Sequence, residues 1–159
     1  MGEANVEKIW LEPIGLVRTK AIGREVSDRG RVSEIILRED LAEALDGIES
    51  FSHLLIIFWM HGIPNEERTR KKVHPRGRMD MPLVGVFATR TPYRRNPIGL
   101  TLVELLEVRG NILTVRGLDA FDGTPILDIK PFDRWDTAEP VRLPEWRIRL
   151  EKEANDKRQ

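Results

Sequence analysis

The chain has 159 residues, with 26 basic and 26 acidic side chains and no cysteine. This length is typical of one domain with a sizeable core, and a net charge of zero gives no overall sign of a nucleic-acid-binding protein. The lack of cysteine excludes disulfides, thiolate zinc sites and a cysteine nucleophile. The longest apolar run has seven residues, whereas a membrane-spanning helix needs about 20. Because the first residues also lack the apolar core of a secretory signal, we expect a cytoplasmic protein without membrane association.

Strand patterns outnumber helix patterns. Apolar runs and alternations predict strands over 12–19, 32–37, 54–60, 84–89, 100–108, 112–118 and 126–130. The run 54–60 is apolar throughout, which predicts a strand buried on both faces. Gly110-Asn111 predicts a hairpin turn. Trp146, Ile148 and Leu150 alternate with charged residues and predict a last strand, followed by a polar tail over 152–159.

One helix is predicted, beginning at Asp40. Asp40 and Glu43 fit a capping box, and the apolar residues Leu41, Ala44, Leu45 and Ile48 recur at helical spacing. With the strands, this pattern predicts a mostly β fold: a small β-barrel with one short helix and a long basic loop, in a single domain over 1–151.

Positive charge is concentrated in the middle of the chain. Residues 68–95 include nine basic residues and one acidic residue, whereas the rest of the chain carries a net charge of −8. The stretch 61–82 shows no strand or helix pattern, and structureless loops of that length are usually functional or disordered. A local cationic surface of this kind suits a phosphate backbone. The candidate phosphate contacts are Lys71, Lys72, Arg76, Arg78, Arg94 and Arg95.

The segment 86–100, VFATRTPYRRNPIGL, is the most informative motif. Pro92 and Pro97 stiffen it, and Gly99 permits a backbone conformation or a close approach that a side chain would prevent. Arg90, Arg94 and Arg95 carry forked donors that suit carboxylate or phosphate. The motif therefore predicts a rigid loop that holds an anion.

Three carboxylates lie in a second motif, GLDAFDGTPILDIKPF over 117–132. Asp122-Gly123 fits a turn, whereas Asp119 and Asp128 suit a structural or a functional role equally well. In a strand, Asp128 and Lys130 would face the same side, where an acid and a base can orient a ligand or shift each other's pKa. His53 and His61 are only a weak metal pair, so no metal site is predicted. Neither a dinucleotide-binding glycine fingerprint nor a phosphate-binding P-loop motif is present.

These motifs, together with FSHLLIIFWMHG over 51–62, resemble the TrmO (TsaA-like, YaeB-like) family of tRNA methyltransferases, in the same order and spacing. The resemblance implies a non-Rossmann β-barrel and a homodimer that binds S-adenosylmethionine. It also implies methylation of N6 of N6-threonylcarbamoyladenosine at position 37 of tRNA, 3′ of the anticodon. Where the family usually has proline, this chain has Arg95, which adds a charge beside the site.

By the same resemblance, the cofactor contacts are His61, Gly62, Arg90, Asn96, Pro97, Gly99, Leu100, Arg116, Gly117, Leu118 and Asp119. The early segment 21–31 would close over the cofactor. Arg90 would pair with the methionine carboxylate, and Asp119 would bind the amino group or the ribose hydroxyls. Asp128, beside Lys130, is the candidate base for the proton of the attacking nitrogen.

Two alternatives stay open from the residues. The first is a barrel that binds RNA or a nucleotide without catalysis, against which the Asp128–Lys130 pair argues. The second is a methyltransferase for another adenine-containing or small substrate, which would share the cofactor site and differ in the outer loop.

Overall fold

A computed structural model describes residues 7–156. Within that range the strands are β1 (Gly15–Arg18), β2 (Val32–Leu37), β3 (His53–Trp59), β4 (Lys72–Val73), β5 (Val84–Gly85), β6 (Ile98–Arg109), β7 (Ile112–Arg116) and β8 (Pro125–Pro131), and the α-helix is α1 (Glu145–Asp156). Short 3-10 turns connect several of them. No helix among these residues is long and apolar enough to span a membrane.

Six strands form a closed antiparallel barrel in the order β1-β2-β7-β6-β3-β8. Its centre is filled by aliphatic side chains with no exposed surface, including Ile35, Leu54, Ile56, Leu113 and Ile126. The predicted fold class, a small β-barrel without a Rossmann core, is confirmed. The barrel closes where β1 meets β8, which pair at Gly15 with Ile126 and Leu16 with Pro125. The seam continues past β8, where the Val17 N–H donates to the Thr124 carbonyl and the Gly123 N–H donates to the Val17 carbonyl.

The strand predictions hold best inside the barrel. β2 has its predicted bounds, and the hairpin between β6 and β7 turns at Gly110. The prediction that 54–60 is buried on both faces is wrong, because burial alternates along β3. Its inner residues fill the barrel and its outer ones are half-buried. The strand predicted over 84–89 is shorter, because the chain turns into a 3-10 helix at Val86–Ala88.

The helix predicted from Asp40 is a 3-10 helix over Glu39–Leu45, followed by a second 3-10 turn. The predicted capping box does not form. Arg38 occupies the N-cap position, and its guanidinium pairs with Asp40 at 2.8 Å instead. Gly47, with a φ of +86°, interrupts the apolar spacing that suggested a longer helix.

The strand predicted around Trp146 is also wrong, because these residues begin α1. Leu150 is buried, and ion pairs four residues apart, Arg147 with Glu151 and Arg149 with Glu153, run along the helix. Such pairs stabilise a helix and have no equivalent in a strand. Residues 152–156 of the predicted tail belong to α1, and 157–159 lie outside the described residues.

The chain divides into two compact units. The barrel unit contains the residues up to His61 together with Ile98–Phe132, and the second unit contains Gly62–Pro97 and the segment from Asp133 onward. The predicted single domain over 1–151 stays a prediction. The basic stretch 61–82 is not structureless, since it contains two 3-10 turns and strand β4, which pairs with β5.

A four-residue charge network lies within the second unit. Arg78 pairs with Asp80 at 2.6 Å and also with Glu153, while Arg149 bonds to the same two carboxylates at 2.5 and 2.9 Å. The hydrogen bonds from Arg78, supported by those from Arg149, hold the pKa values of Asp80 and Glu153 below their ordinary range. The network therefore joins α1 to the basic segment of the same unit.

Close packing in the barrel explains the glycine of the arginine-rich motif. Gly99 lies opposite Phe58 in the β3–β6 register, and a Cβ on Gly99 would lie 2.2 Å from the Phe58 ring. Phe58 is buried in the core. The group that approaches Gly99 in the structure is therefore an aromatic ring of the protein itself.

We expect Gly99→Ala to destabilise the protein by about 1–3 kcal/mol, since overpacking a filled core costs about that much. Urea denaturation followed by circular dichroism measures the loss. Gly62→Ala is the matched control, because nothing lies within 4 Å of its Cβ position. Equal stability of the two variants would contradict this account of Gly99.

We expect the stabilisation provided by Asp80 to depend on pH. A carboxylate whose pKa is lowered on folding stabilises the folded state above its unfolded pKa of about 4, and that contribution is lost as the pH falls further. Asp80→Asn should therefore lower the free energy of unfolding near neutral pH, with a deficit that shrinks in acid. Urea titrations across that range test this, with Asp46→Asn, an exposed carboxylate outside the network, as control. A deficit that does not change with pH would exclude this role for Asp80.

Candidate functional site

Two segments of the barrel unit meet at the turn after β7. The Gly117 N–H donates to the Arg31 carbonyl at 2.8 Å, and the Ser27 hydroxyl donates to Asp119 at 3.3 Å. Gly117 has a φ of +89°, and a Cβ there would lie 3.1 Å from the Arg29 carbonyl oxygen. The structure thus brings the early segment 21–31 beside 116–119, two of the regions that the resemblance implies for the cofactor.

The side chains of this turn face different surroundings. Leu118 is almost fully buried, so only its backbone is available to a ligand, whereas Asp119 is exposed. Arg116 pairs with Glu104 of β6 at 2.5 Å. The turn therefore offers a ligand one carboxylate, already oriented by the Ser27 hydroxyl, together with backbone groups. Carboxylates of this kind bind amino groups and vicinal hydroxyls.

The predicted Asp128–Lys130 pair is present on β8. Their charged groups lie 2.8 Å apart, and Asp128 raises the pKa of Lys130. A bulge at the partner strand pairs Ile57 with Asp128 and Phe58 with Ile126, so Leu127 is the extra residue. Because of this bulge, Ile126 points into the core while Asp128 and Lys130 share the outer face of the barrel. The predicted common orientation of Asp128 and Lys130 is confirmed.

Beside this pair runs an apolar strip on the outer face of β3 and β6. It consists of three cross-strand pairs, Leu55 with Leu102, Ile57 with Leu100, and Trp59 with Ile98. The β6 members are 37–45% exposed. Sequence reasoning missed the strip because it treated β3 as buried on both faces, although alternating strand geometry places every second residue outside.

His53 begins β3 and His61 lies two residues beyond its end, so a seven-residue strand of about 20 Å separates them. This distance rules out a shared metal between them. His61 is exposed where β3 ends, and His53 bonds to the Ser52 hydroxyl at 2.9 Å.

In the second unit, the arginine-rich loop is held by one of its own arginines. The Arg94 guanidinium donates to the carbonyls of Thr91, Val86 and Thr89 at 3.0, 3.3 and 2.7 Å. Pro97 is fully buried and Asn96 is exposed. Arg90 is exposed, and among residues 7–156 no hydrogen bond or ion pair engages its guanidinium. Arg94 thus positions the loop, and Arg90 is available to an anion.

The candidate phosphate contacts divide in the same way. Lys71, Lys72, Arg76 and Arg95 are exposed and take part in no ion pair of the described part of the chain. Arg78, by contrast, is engaged with Asp80 and Glu153. Sequence reasoning identified the positive charge but not which cations are occupied by protein carboxylates. It also did not identify Phe87, which lies between these cations in the sequence and whose side chain is 83% exposed.

Comparisons with known proteins agree with the geometry. The family model of the tRNA-methyltransferase O N-terminal domain matches residues 20–136. The chain is 45% identical over 130 residues to a probable S-adenosyl-L-methionine-binding protein of Methanothermobacter thermautotrophicus, covering 79% of this chain and 90% of that protein. It is 39% identical to a tRNA (adenine(37)-N6)-methyltransferase of Escherichia coli, covering 76% of this chain and 56% of that enzyme.

Among solved structures, TrmO from Pseudomonas aeruginosa superposes with a TM-score of 0.69 at 25% identity, covering 96% of this chain and 76% of that one. The family model covers most of the sequence, and the barrel of the structure agrees with the solved members. The chain therefore belongs to the TrmO family, whose N-terminal domain it carries.

Proposed function

We propose that this protein is an S-adenosylmethionine-dependent tRNA methyltransferase acting on N6 of adenosine 37. We further propose that the base carries a threonylcarbamoyl group, within the anticodon stem-loop. The observation that supports the proposal most directly is the family match over 20–136, together with relatives named for S-adenosylmethionine binding and for this methylation. We also propose that the reaction takes place in the cytoplasm.

The donor set of this chain fits the cofactor. S-adenosylmethionine carries a carboxylate, an amino group and ribose hydroxyls, and it supplies a methyl group bonded to a positively charged sulfur. Arg90 is the proposed partner of the carboxylate, since its guanidinium is exposed and unoccupied in the described residues. Asp119, oriented by Ser27, is the proposed partner of the amino group or the hydroxyls. The remaining proposed contacts are His61, Gly62, Asn96, Pro97, Gly99, Leu100, Arg116, Gly117 and Leu118.

Such a transfer needs no covalent intermediate with the protein, because methyl transfer to an exocyclic nitrogen depends mainly on alignment of the reacting atoms. The nitrogen gains a methyl group and must lose a proton. Asp128 is the proposed acceptor of that proton, and Lys130, at 2.8 Å, would hold this carboxylate in position. Both side chains are about half exposed, so substrate can reach them.

Binding of tRNA is assigned to the exposed cations of the second unit, Lys71, Lys72, Arg76 and Arg95. Arg78 and Arg94 have protein partners and would support this surface from beneath. We also propose that the protein is a homodimer that uses the apolar strip, because exposed apolar faces of this kind mark protein interfaces.

We expect Arg90→Ala and Asp119→Asn each to weaken S-adenosylmethionine binding by roughly 10- to 100-fold, the usual cost of losing a hydrogen bond to a charged group. Isothermal titration of the purified protein measures this, and methyl transfer to unmodified and threonylcarbamoylated tRNA follows. Arg109→Ala, which removes an exposed arginine paired with Glu107, is the control. No binding by folded wild-type protein would exclude the methyltransferase and favour a noncatalytic RNA-binding barrel.

We expect Leu102→Asp to convert a dimer into monomers, because the substitution would bury a charge in an apolar interface. Analytical ultracentrifugation at several concentrations measures the association. Leu106→Asp is the matched control, since Leu106 is similarly exposed on β6 but lies outside the strip. A monomeric wild-type protein, or equal effects of the two variants, would remove the strip from this role.

A further inference from the structure

The second unit contains a cleft that the proposed methyl-transfer chemistry does not use. Its volume is about 450 Å³, and all of its walls come from this unit. Four of its lining residues are cations, Arg68, Arg70, Lys71 and Arg95, and none is acidic. We call it the basic cleft.

Phe87 lines the same cleft and is 83% exposed. Its neighbour Val86 is buried, and the Val86 N–H donates to the Lys71 carbonyl at 3.0 Å. This bond ties the 3-10 turn of Phe87 to the segment of Lys71. An aromatic ring is thereby presented to solvent next to a lysine by backbone geometry.

The cations of the basic cleft differ in availability. Arg68 donates to the Ile63 carbonyl, and Arg70 pairs with Glu67 and stacks on Tyr93 with its guanidinium 4.5 Å from the ring centroid. These two arginines shape the wall and contribute positive potential. Lys71 and Arg95 take part in no ion pair of the described residues, so they are available for direct contact with a ligand.

A ligand for this cleft must satisfy two demands at once. Lys71 and Arg95 would bind a negatively charged group of the ligand, and Phe87 would stack on a flat, apolar face of the ligand. Unpaired nucleotides offer both, because phosphates alternate with bases that are free to stack on aromatic side chains. In duplex RNA the bases are stacked on each other and expose only backbone and groove edges. The combination of an exposed ring and unoccupied cations therefore favours an unpaired nucleic acid over a duplex.

We propose that the basic cleft binds an unpaired nucleotide of the RNA substrate, with its base stacked on Phe87 and its phosphates held by Lys71 and Arg95. The identification of this RNA as tRNA rests on the function proposed above. This nucleotide is not the methylated base, since the cleft supplies no carboxylate to accept a proton. Phe87 would then help to select a loop over a paired stem.

The test compares two fluorescently labelled RNAs by anisotropy: a hairpin with an unpaired loop, and a fully paired duplex with the same number of phosphates. Phe87→Ala should weaken hairpin binding by roughly 5- to 100-fold, as expected for the loss of one stacked base. Duplex binding should change less than about twofold by the same reasoning. Phe87→Trp should restore hairpin binding. Met79→Ala, which removes another exposed apolar side chain of this unit, is the control.

The cations are tested separately through salt dependence. The double variant Lys71→Gln, Arg95→Gln should weaken the binding of both RNAs. It should also reduce the slope of log affinity against log salt concentration by about 1–2. Arg134→Gln with Lys152→Gln removes two exposed charges of the same unit outside the cleft and should leave the slope unchanged.

The outcomes separate this proposal from the proposed function. If wild-type protein methylates tRNA and Phe87→Ala binds the hairpin as Met79→Ala does, the cleft is not a nucleotide site although the enzyme assignment stands. An equal loss of hairpin and duplex binding in Phe87→Ala would also overturn the stacking role. If hairpin binding depends on Phe87 but wild-type protein transfers no methyl group, the nucleotide-binding role of the cleft is supported and the proposed enzymatic function is wrong.

Discussion

The packing of the Phe58 ring on Gly99 fixes the relation between β3 and β6, on which the candidate site depends. A side chain at Gly99 would collide with the ring, so only glycine lets the two strands keep this register without displacing Phe58. Trp59 and Ile98 form the next pair in that register, and the chain leaves and re-enters the barrel beside them. The same register aligns the apolar strip. On the other edge of β3, the register with β8 places Asp128 beside Ile57.

Most of the barrel could be predicted from the sequence, because its strands alternate between core and surface with a period of two. β2 and β7 follow this rule closely, whereas β8 departs from it at the bulge of Leu127. The prediction failed where the spacing of the apolar residues fits both the two-residue period of a strand and the period of a helix. Trp146, Ile148 and Leu150 fit a strand, but the ion pairs at i, i+4 that accompany them indicate the helix.

The sequence predicted which types of residue the candidate site contains, but not which of their charged groups are accessible to a ligand. The sequence shows a dense row of arginines and lysines, but a count of charges does not reveal which ones have partners. Arg94 is used to hold its own loop and Arg78 to hold α1, whereas Arg90 and Arg95 remain accessible. The common orientation of Asp128 and Lys130 was predictable from strand geometry, but the bulge that turns Ile126 to the opposite side was not.

Closure of the barrel between β1 and β8 has a consequence for how the chain folds. The two strands of this seam are more than a hundred residues apart in sequence, and the pairing between them is short. Contacts of such long range form late, since a large loop must be ordered first. During synthesis the edges of β1 and β8 therefore stay open until almost the whole chain has emerged. In that interval the incomplete sheet exposes unpaired backbone, which is the feature that makes nascent β-proteins prone to association.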